Sequence, residues 1–201
     1  MSEQTYAVDT DLREAQAMVD GLEAYLLDKE LYGHVGGGGL FGGGKMPALT
    51  IGALLMRLRR LRVFADRMTP AQLQKLETIE AKHAAIRKEW QQHYEEKAVR
   101  EAHSRLDAIK HFFEECTNDP QLCANVYLPE ALRRTVAQEI ALALEDSYAD
   151  TRDLPAKLRT TDSRLRRYIQ PADFIWDTVL EPVYPREQFA WLYARPPVPS
   201  K

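Results

Sequence analysis

Four side chains that can bind a metal ion lie four residues apart in one stretch of the chain. They are His103, Asp107, His111 and Glu115. This spacing places side chains on one face of a helix, where imidazole and carboxylate groups can share a cation. A single helix would have to supply every ligand, however, and the sequence shows no second cluster of His and Cys. We therefore expect a solvated helix face with i,i+4 pairs, and we predict no cofactor.

The Glu-x-x-His spacing of Glu80 and His83 corresponds to half of a di-iron carboxylate site. Such a site requires a second pair of the same kind on another helix, and the sequence contains none. His83 also lies between Ile79 and Ile86 on an apolar stripe. We predict that it is a hydrogen-bonded histidine of the core.

A glycine-rich segment near the N-terminus resembles a phosphate-binding loop only in part. All ten glycines occur at or before Gly52, and seven of them lie between Gly36 and Gly44. Residues 39–45 fit the pattern G-x-x-x-x-G-K, but Met46 occupies the place of the Ser or Thr that would bind Mg²⁺. A phosphate-binding loop also follows a buried strand, whereas a helical pattern precedes this one. We predict a flexible linker over residues 33–47.

Arginines on two helical stretches could bind an anionic partner. The candidates are Arg57, Arg59, Arg60, Arg62, Arg164, Arg166 and Arg167. If both faces met, the patch would suit phosphate groups. The isoelectric point is about 6.0, and neither a recognition-helix turn nor an aromatic RNA-binding motif is visible. We expect these arginines to be solvated or paired within the chain, so that nucleic acid is a possible but not a favoured partner.

The chain contains two cysteines, Cys116 and Cys123, which flank a predicted turn. The N-terminal residues do not resemble a signal peptide, and no apolar run approaches the roughly 18 residues of a membrane span. We therefore predict a cytoplasmic location and no membrane partner. In that compartment the cysteines should be thiols, with a disulfide across the turn as the alternative.

No known catalytic motif is present. We find no Ser-His-Asp signature, nucleophile elbow or paired-carboxylate motif. Catalytic groups can nevertheless converge from distant positions in a chain. We therefore favour a non-catalytic function and keep an enzyme with a dispersed site as the third of three hypotheses.

Apolar periodicity predicts helices along most of the chain. Residues 11–32 carry a coiled-coil-like stripe, with Asp11 and Glu14 as an N-terminal capping pair, and residues 49–68 form a second amphipathic helix. Thr69, Pro70 and Gln72 have the pattern of a capping box. Residues 71–116 contain neither glycine nor proline, which predicts one very long helix or two nearly collinear ones with a bend at 91–93.

Prolines divide the remainder of the chain. Pro129 should open a helix with Leu132 and Val136 among the apolar residues that are spaced by four, and Pro155 should open a shorter one that ends before Pro171. After Pro171 the sequence is rich in aromatic residues and proline, without periodicity. The predicted fold is all-α: an antiparallel helical hairpin with one very long helix, extended into a small helical bundle, followed by an irregular aromatic and proline-rich C-terminal tail.

Charge divides the chain further. Residues 1–30 contain eight acidic and two basic side chains, whereas residues 45–75 contain seven basic and one acidic side chain. The acidic segment could dock on the basic one or mask it from another partner. We predict four segments: a tethered acidic amphipathic helix (1–32), the linker (33–47), a helical body (48–170) and a C-terminal strap (171–201). The first should be a separable docking arm.

These patterns favour an interaction function. The second half of the long apolar stripe has no partner close in sequence, and exposed stripes of that size mark interfaces. We predict a non-catalytic helical interaction or scaffold protein that self-associates, with an unidentified protein partner. The alternative is a nucleic-acid-binding accessory protein that uses the arginine-rich helix faces.

Overall fold

The computed structural model describes residues 6–35, 47–118, 120–145, 147 and 151–197, without the side chains of residues 115, 118 and 120–122. These residues are predominantly α-helical, which confirms the all-α prediction. They form two compact units. Of the described residues, the N-terminal unit comprises those between 7 and 101 together with residue 147, and the C-terminal unit comprises residue 6 and those between 102 and 145 and between 151 and 197. Within the described ranges, no helix is long and apolar enough to cross a bilayer.

The α-helices are α1 (Val8–Leu27), α2 (Ile51–Val63), α3 (Pro70–Glu89), α4 (Gln91–Asn118), α5 (Pro120–Ala143) and α6 (Leu154–Tyr168). Two short antiparallel ladders accompany them. Strand β1 (Gly33–His34) pairs with β2 (Ala48–Leu49), and β3 (Gln170–Pro171) pairs with β4 (Ala194–Arg195). Short 3₁₀ turns occupy Ala65–Arg67, Thr178–Val183 and Ala190–Tyr193.

Helix α1 is part of the core of the N-terminal unit, where it packs on α2 and α3. The stripe predicted from the sequence is buried, with Leu12, Ala15, Val19 and Leu22 at most 1% exposed. The sequence left open where this helix docks, and the structure places it on its own chain. This packing argues against a separable arm, because removing α1 would uncover this apolar stripe and the surfaces of α2 and α3. The arm itself stays a prediction. The four residue ranges proposed as domains stay a prediction.

The ends of α1 differ from the prediction. The helix begins at Val8, three residues early, and its N-cap Ala7 has no side-chain cap. Asp11 and Glu14 do not form a capping pair but face the arginines of α2. The helix ends at Leu27 because Asp28 adopts an extended backbone conformation.

The local signals between α2 and α4 are confirmed. Thr69 accepts a hydrogen bond from the Gln72 amide at 3.3 Å, and the Gln72 side chain accepts one from the Thr69 amide at 2.9 Å, which completes the capping box. The long glycine-free run is two helices. It is interrupted at Trp90, one residue before the predicted bend, where φ is −108° and ψ is 35°.

The glycine-rich segment lies mostly outside the described residues, which resume at Pro47. Its first residues are more regular than predicted, since Gly33 and His34 pair with Leu49 and Ala48. The predicted linker and the loop-like motif at residues 39–46 therefore stay predictions for residues 36–46.

In the C-terminal unit, α4 continues from Ala102 and α5 follows it. Helix α5 begins at Pro120, so the prediction that Pro129 opens a helix is wrong. Pro129 is exposed in the interior of α5, and buried Tyr127 and Ala131 stabilise the helix on either side of it. Of the apolar residues spaced by four, Val136 is 2% exposed and Leu132 is 38% exposed.

The two cysteines are joined rather than free. Cys116 of α4 and Cys123 of α5 form a disulfide, with their Cα atoms 4.9 Å apart and both residues 4% exposed. The expectation of two thiols is wrong, because the connection between α4 and α5 brings two buried cysteines within bonding distance. Disulfides are typical of oxidising compartments, so this pair argues against the cytoplasmic location, which stays a prediction.

The second half of the apolar stripe, in α4, is buried by other residues of the same chain. Ala102, Leu106, Ile109, Phe113 and Cys116 are at most 5% exposed. The tail beyond Pro171 packs its aromatic rings together, with Tyr184, Phe189 and Trp191 in successive edge-to-face contacts at 5.1 and 5.6 Å. The observation from which self-association was expected therefore no longer requires a second copy.

Candidate binding groove

A groove of about 640 Å³ lies in the C-terminal unit, between α5, α6 and the tail. We call it the tail groove. Its lining includes Arg134, Asp162, Arg166, Arg186, Glu187 and Trp191, together with three glutamines at positions 138, 170 and 188. Several stretches of chain supply these residues: α5 contributes positions 134 and 138, α6 contributes 162 and 166, and the remainder come from the tail or β3. The groove therefore exists only because the tail packs on α5 and α6.

The floor of the tail groove is an ion pair between a buried arginine and a partly exposed aspartate. Arg134 is 2% exposed. Its Nε donates to Oδ1 of Asp162 at 2.6 Å and its Nη2 to Oδ2 at 2.9 Å, which is a bidentate arrangement. Its Nη1 donates to Gln138 at 3.1 Å. Because these bonds use the guanidinium on two sides, Arg134 is a structural group of the floor.

The indole of Trp191 lies under the same guanidinium. The Arg134 Cζ is 3.9 Å from the ring centroid, a cation–π contact. The indole Nε1 donates to the Thr135 hydroxyl at 2.9 Å, and the Tyr127 hydroxyl donates to the carbonyl of Trp191 at 2.8 Å. These bonds hold the tail on α5, so the groove wall is fixed before any partner binds.

Two exposed arginines lie at the rim. Arg166 is in the last turn of α6, and among the described residues it forms no ion pair. Arg186 stacks on Tyr193, with its Cζ 4.8 Å from the ring centroid, and donates from Nη2 to the Ala172 carbonyl at 3.4 Å. Burial raises the pKa of Tyr193, whose hydroxyl donates to the Tyr184 carbonyl at 2.9 Å. Tyr193 therefore stays neutral and serves as a platform for Arg186.

The chemistry of the lining suits binding. Among the lining residues that the structure describes, none is His, Cys, Ser, Thr or Lys. Of its two carboxylates, Asp162 is held by Arg134. The lining is therefore rich in side chains that form hydrogen bonds and ion pairs.

The arginines predicted on α2 have partners within the N-terminal unit. Arg57 is 8% exposed and donates from Nη2 to Glu14 at 2.6 Å. Arg60 lies 3.8 Å from Asp11, and Arg62 donates to Glu80 at 2.5 Å. Arg59 is half-buried. The docking of the acidic segment on the basic one, one of the two sequence interpretations of the charge pattern, is what the structure shows.

The arginines predicted on α6 are instead exposed: Arg164, Arg166 and Arg167. Arg166 lines the tail groove, whereas the other two do not. The two arginine sets belong to different units.

Two of the four residues predicted to bind a metal ion contact a lysine instead. Lys157 of α6 pairs with Asp107 at 2.8 Å and donates to Nδ1 of His103 at 3.2 Å. His111 contacts Glu114 at 3.6 Å, and the side chain of Glu115 lies outside the described residues. Within the described ranges, no three His, Cys, Asp or Glu side chains come close enough together to hold a metal ion.

His83 is a core residue that is hydrogen-bonded, as its position on the stripe predicts. Its Nε2 lies 3.0 Å from the hydroxyl of Tyr94, and the two residues are 6% and 0% exposed. Burial, with a smaller effect of the Arg87 and Arg62 guanidinium groups, lowers the pKa of His83 to about 4. Burial also raises the pKa of Tyr94. Both groups are therefore neutral at pH 7.

Two buried charges on α4 bind helix ends in the N-terminal unit. Lys97 donates to the carbonyls of Tyr25 and Asp28, where α1 ends, and the second of these distances is 2.8 Å. Glu101, one turn later, accepts a hydrogen bond from the Gly52 amide at the start of α2 at 2.9 Å. A cation at a helix C-terminus and an anion at an N-terminus are the favourable arrangement. Burial lowers the pKa of Lys97.

Among the groove residues, Arg166 was a candidate from the sequence, whereas Arg134, Asp162, Arg186 and Trp191 were not. Arg134 pairs with a residue 28 positions later and contacts a ring 57 positions later. No spacing rule joins such positions. The one local signal was Arg134 with Gln138, an i,i+4 pair on α5.

Comparison with known proteins gives no relative for this chain: no family model, no curated protein and no solved structure matches it.

Proposed function

We propose that this protein is a non-catalytic helical interaction protein whose tail groove binds an extended peptide segment of a partner protein. The observation that carries this proposal is the composition of the groove. It combines three glutamine side chains with arginines, carboxylates and aromatic rings in an open cleft of about 640 Å³. A glutamine amide both donates and accepts hydrogen bonds, so it matches the N–H and C=O groups of an extended backbone.

The fixed wall of the groove supports the same proposal. Trp191 is held through its indole nitrogen and its carbonyl, and Tyr193 through its hydroxyl. A preformed site loses little side-chain entropy when a partner binds. Binding therefore requires ordering of the peptide but little ordering of the protein.

Peptide binding to the tail groove can be tested with a substitution that fills it. Ala190 lines the groove and is exposed, so Ala190→Trp should occupy the cleft without changing its charges. Ala85→Trp, at an exposed position of α3, is the matched control. Fluorescence polarisation with labelled acidic, basic and neutral hexapeptides should detect binding to the unsubstituted chain and to Ala85→Trp. Ala190→Trp should bind at least about tenfold more weakly.

Equal binding by Ala190→Trp, or no binding of any peptide class, would remove the tail groove as the basis of the function. The nucleic-acid hypothesis predicts a different result. A single-stranded oligonucleotide would then bind below micromolar concentration at physiological salt, with an affinity that falls steeply as salt rises.

Self-association is a second candidate, and it now rests on a different observation. Leu128 and Leu132 lie one turn apart on α5 and are 51% and 38% exposed. Two such leucines could form the centre of a contact between copies of this chain. Light scattering at tens of micromolar should then give a mass above the 23.0 kDa of one chain. Leu132→Asp should lower the measured mass to that of a single chain. A single-chain mass for the unsubstituted protein would exclude a stable dimer.

A further inference from the structure

Building on the proposed function, we propose that the tail groove selects acidic peptide segments, whose carboxylates pair with Arg166 and Arg186. The first argument is the balance of charge in the groove. Of its three guanidinium groups, Arg134 is already neutralised by Asp162 at 2.6 and 2.9 Å. Arg166 and Arg186 remain, against the single carboxylate of Glu187. Two positive charges face one negative charge, so the open part of the groove is positive.

The second argument is the orientation of Arg186. Its guanidinium stacks on Tyr193 and uses one nitrogen for the Ala172 carbonyl. A guanidinium has five N–H donors, so several donors of Arg186 remain for a carboxylate. The stacking on Tyr193 already fixes the plane of the guanidinium in which these donors lie. An arginine held in this way loses less conformational freedom on binding than a free one. We therefore expect Arg186 to contribute more to affinity than Arg166.

The third argument separates an acidic peptide from a nucleic acid. Glu187, the lining carboxylate that Arg134 does not neutralise, would repel a continuous row of phosphates. A peptide can place its carboxylates at the two arginines and its uncharged backbone beside Glu187. The glutamines at positions 138, 170 and 188 then have backbone groups to bind.

The experiment compares two hexapeptides of the same shape, each blocked at both ends. One contains Asp and Glu, and the other has Asn and Gln at the same positions. Binding to the full chain is measured by fluorescence polarisation at low and at physiological salt. We expect the acidic peptide to bind about tenfold tighter than its amide counterpart, as charge-assisted hydrogen bonds are roughly twice as strong as neutral ones.

Substitutions assign this preference to individual residues. Arg186→Gln should weaken the acidic peptide about tenfold and Arg166→Gln about threefold, while neither changes the affinity for the amide peptide. Arg159→Gln is the matched control, because Arg159 is exposed on α6 but does not line the groove. Glu187→Gln should strengthen binding of the acidic peptide about twofold. This effect on affinity is opposite to that of the arginine substitutions, and a loss of structure would not produce it.

Three results would overturn the inference. The amide peptide could bind as well as the acidic one, Arg159→Gln could weaken binding as much as Arg186→Gln, or an oligonucleotide could bind more tightly and lose affinity in the groove variants. If Ala190→Trp abolishes peptide binding but the charges have no effect, only this inference fails. If no peptide binds at all, the proposed function fails with it.

Discussion

The tetrapeptide Arg-Leu-Arg-Arg occurs twice, once in each unit, and the two copies have different surroundings. In α2 it spans residues 57–60 and in α6 residues 164–167. The leucine is buried in both, with Leu58 at 0% and Leu165 at 2% exposure. The first arginine of each tetrapeptide has a different environment: Arg57 is buried against Glu14, whereas Arg164 is exposed. The periodicity of the sequence therefore fixes the position of the leucine, and the neighbouring element decides what the arginines do.

The difference lies in what packs beside each helix. Helix α1 brings Asp11 and Glu14 to α2, so its arginines stabilise the N-terminal unit. In the C-terminal unit the tail beside α6 brings Trp191 and Arg186 instead, and the remaining charge is available to a partner. An arginine-rich helix is thus evidence of a binding surface only when no acidic segment of its own chain covers it.

Replacing the first arginine of each tetrapeptide tests whether the environments of Arg57 and Arg164 differ in solution. Arg57→Met should lower the free energy of unfolding by about 3–5 kcal/mol, because it leaves the largely buried carboxylate of Glu14 without its ion-pair partner. Arg164→Met should change it by less than about 0.5 kcal/mol, as is usual for an exposed residue. Urea unfolding followed by circular dichroism measures both. Equal effects would show that Arg57 and Arg164 have similar surroundings in solution.

The comparison also requires that α1 remain permanently on α2. Leu22→Ala should destabilise the protein by about 2–5 kcal/mol, because Leu22 is 0% exposed and its loss leaves a cavity. The control is Leu27→Ala in the same helix. Leu27 is 52% exposed, so its truncation should cost less than about 0.5 kcal/mol. If Leu22→Ala costs no more than Leu27→Ala, α1 is a loosely attached segment.

Acid should destabilise the N-terminal unit through His83. The folded pKa of about 4 lies below the unfolded value of 6.5, so the unfolded chain binds the proton more readily. Stability from this group is complete above pH 6.5 and is lost as the pH falls toward 4, by about 3 kcal/mol in total. His83→Gln should flatten the stability profile in this range, whereas His93→Gln, at an exposed position, should not. A profile that is the same in all three proteins would contradict a buried neutral imidazole.

The smallest expected effect concerns the close approach of Gly33 to α1. A Cβ atom at Gly33 would lie 2.6 Å from a ring carbon of Tyr25, which is 4% exposed and donates through its hydroxyl to the Leu31 carbonyl at 2.8 Å. Gly33→Ala should therefore cost about 1–3 kcal/mol as an overpacked position. At Gly21 the nearest atom is 3.3 Å away at the end of the Leu49 side chain. Gly21→Ala in α1 should be tolerated better, since alanine also favours the helix, and thermal unfolding compares the two.

The sequence predicted those elements whose signals are local. The capping box at Thr69 and Gln72, the helix opened at Pro155 and the core position of His83 each depend on residues within a turn or two. Helix existence and type follow from periodicity, because one face must be apolar to be buried.

The predictions failed where the sequence around a residue fits a local motif but its contacts are with residues distant in sequence. Asp11 and Glu14 have the spacing of a cap but pair with Arg57, which is 43 residues from Glu14. Pro129 has the appearance of a helix start, but it lies inside α5 between buried Tyr127 and Ala131. The tail groove could not be predicted at all, because its floor joins α5, α6 and the tail through contacts that have no fixed spacing.

The pairing of β1 with β2 has a consequence for engineering. His34 and Ala48 are partners in the ladder, so the geometry between α1 and α2 is set at the ladder and not by the length of the glycine-rich connection. The entropy of closing a loop rises only slowly with its length, by about 0.6 kcal/mol for each doubling. A peptide tag or a whole reporter domain inserted between residues 39 and 43 should therefore leave the helix pairing of the N-terminal unit intact. This connection is the place in the chain at which to attach a probe without disturbing either terminus.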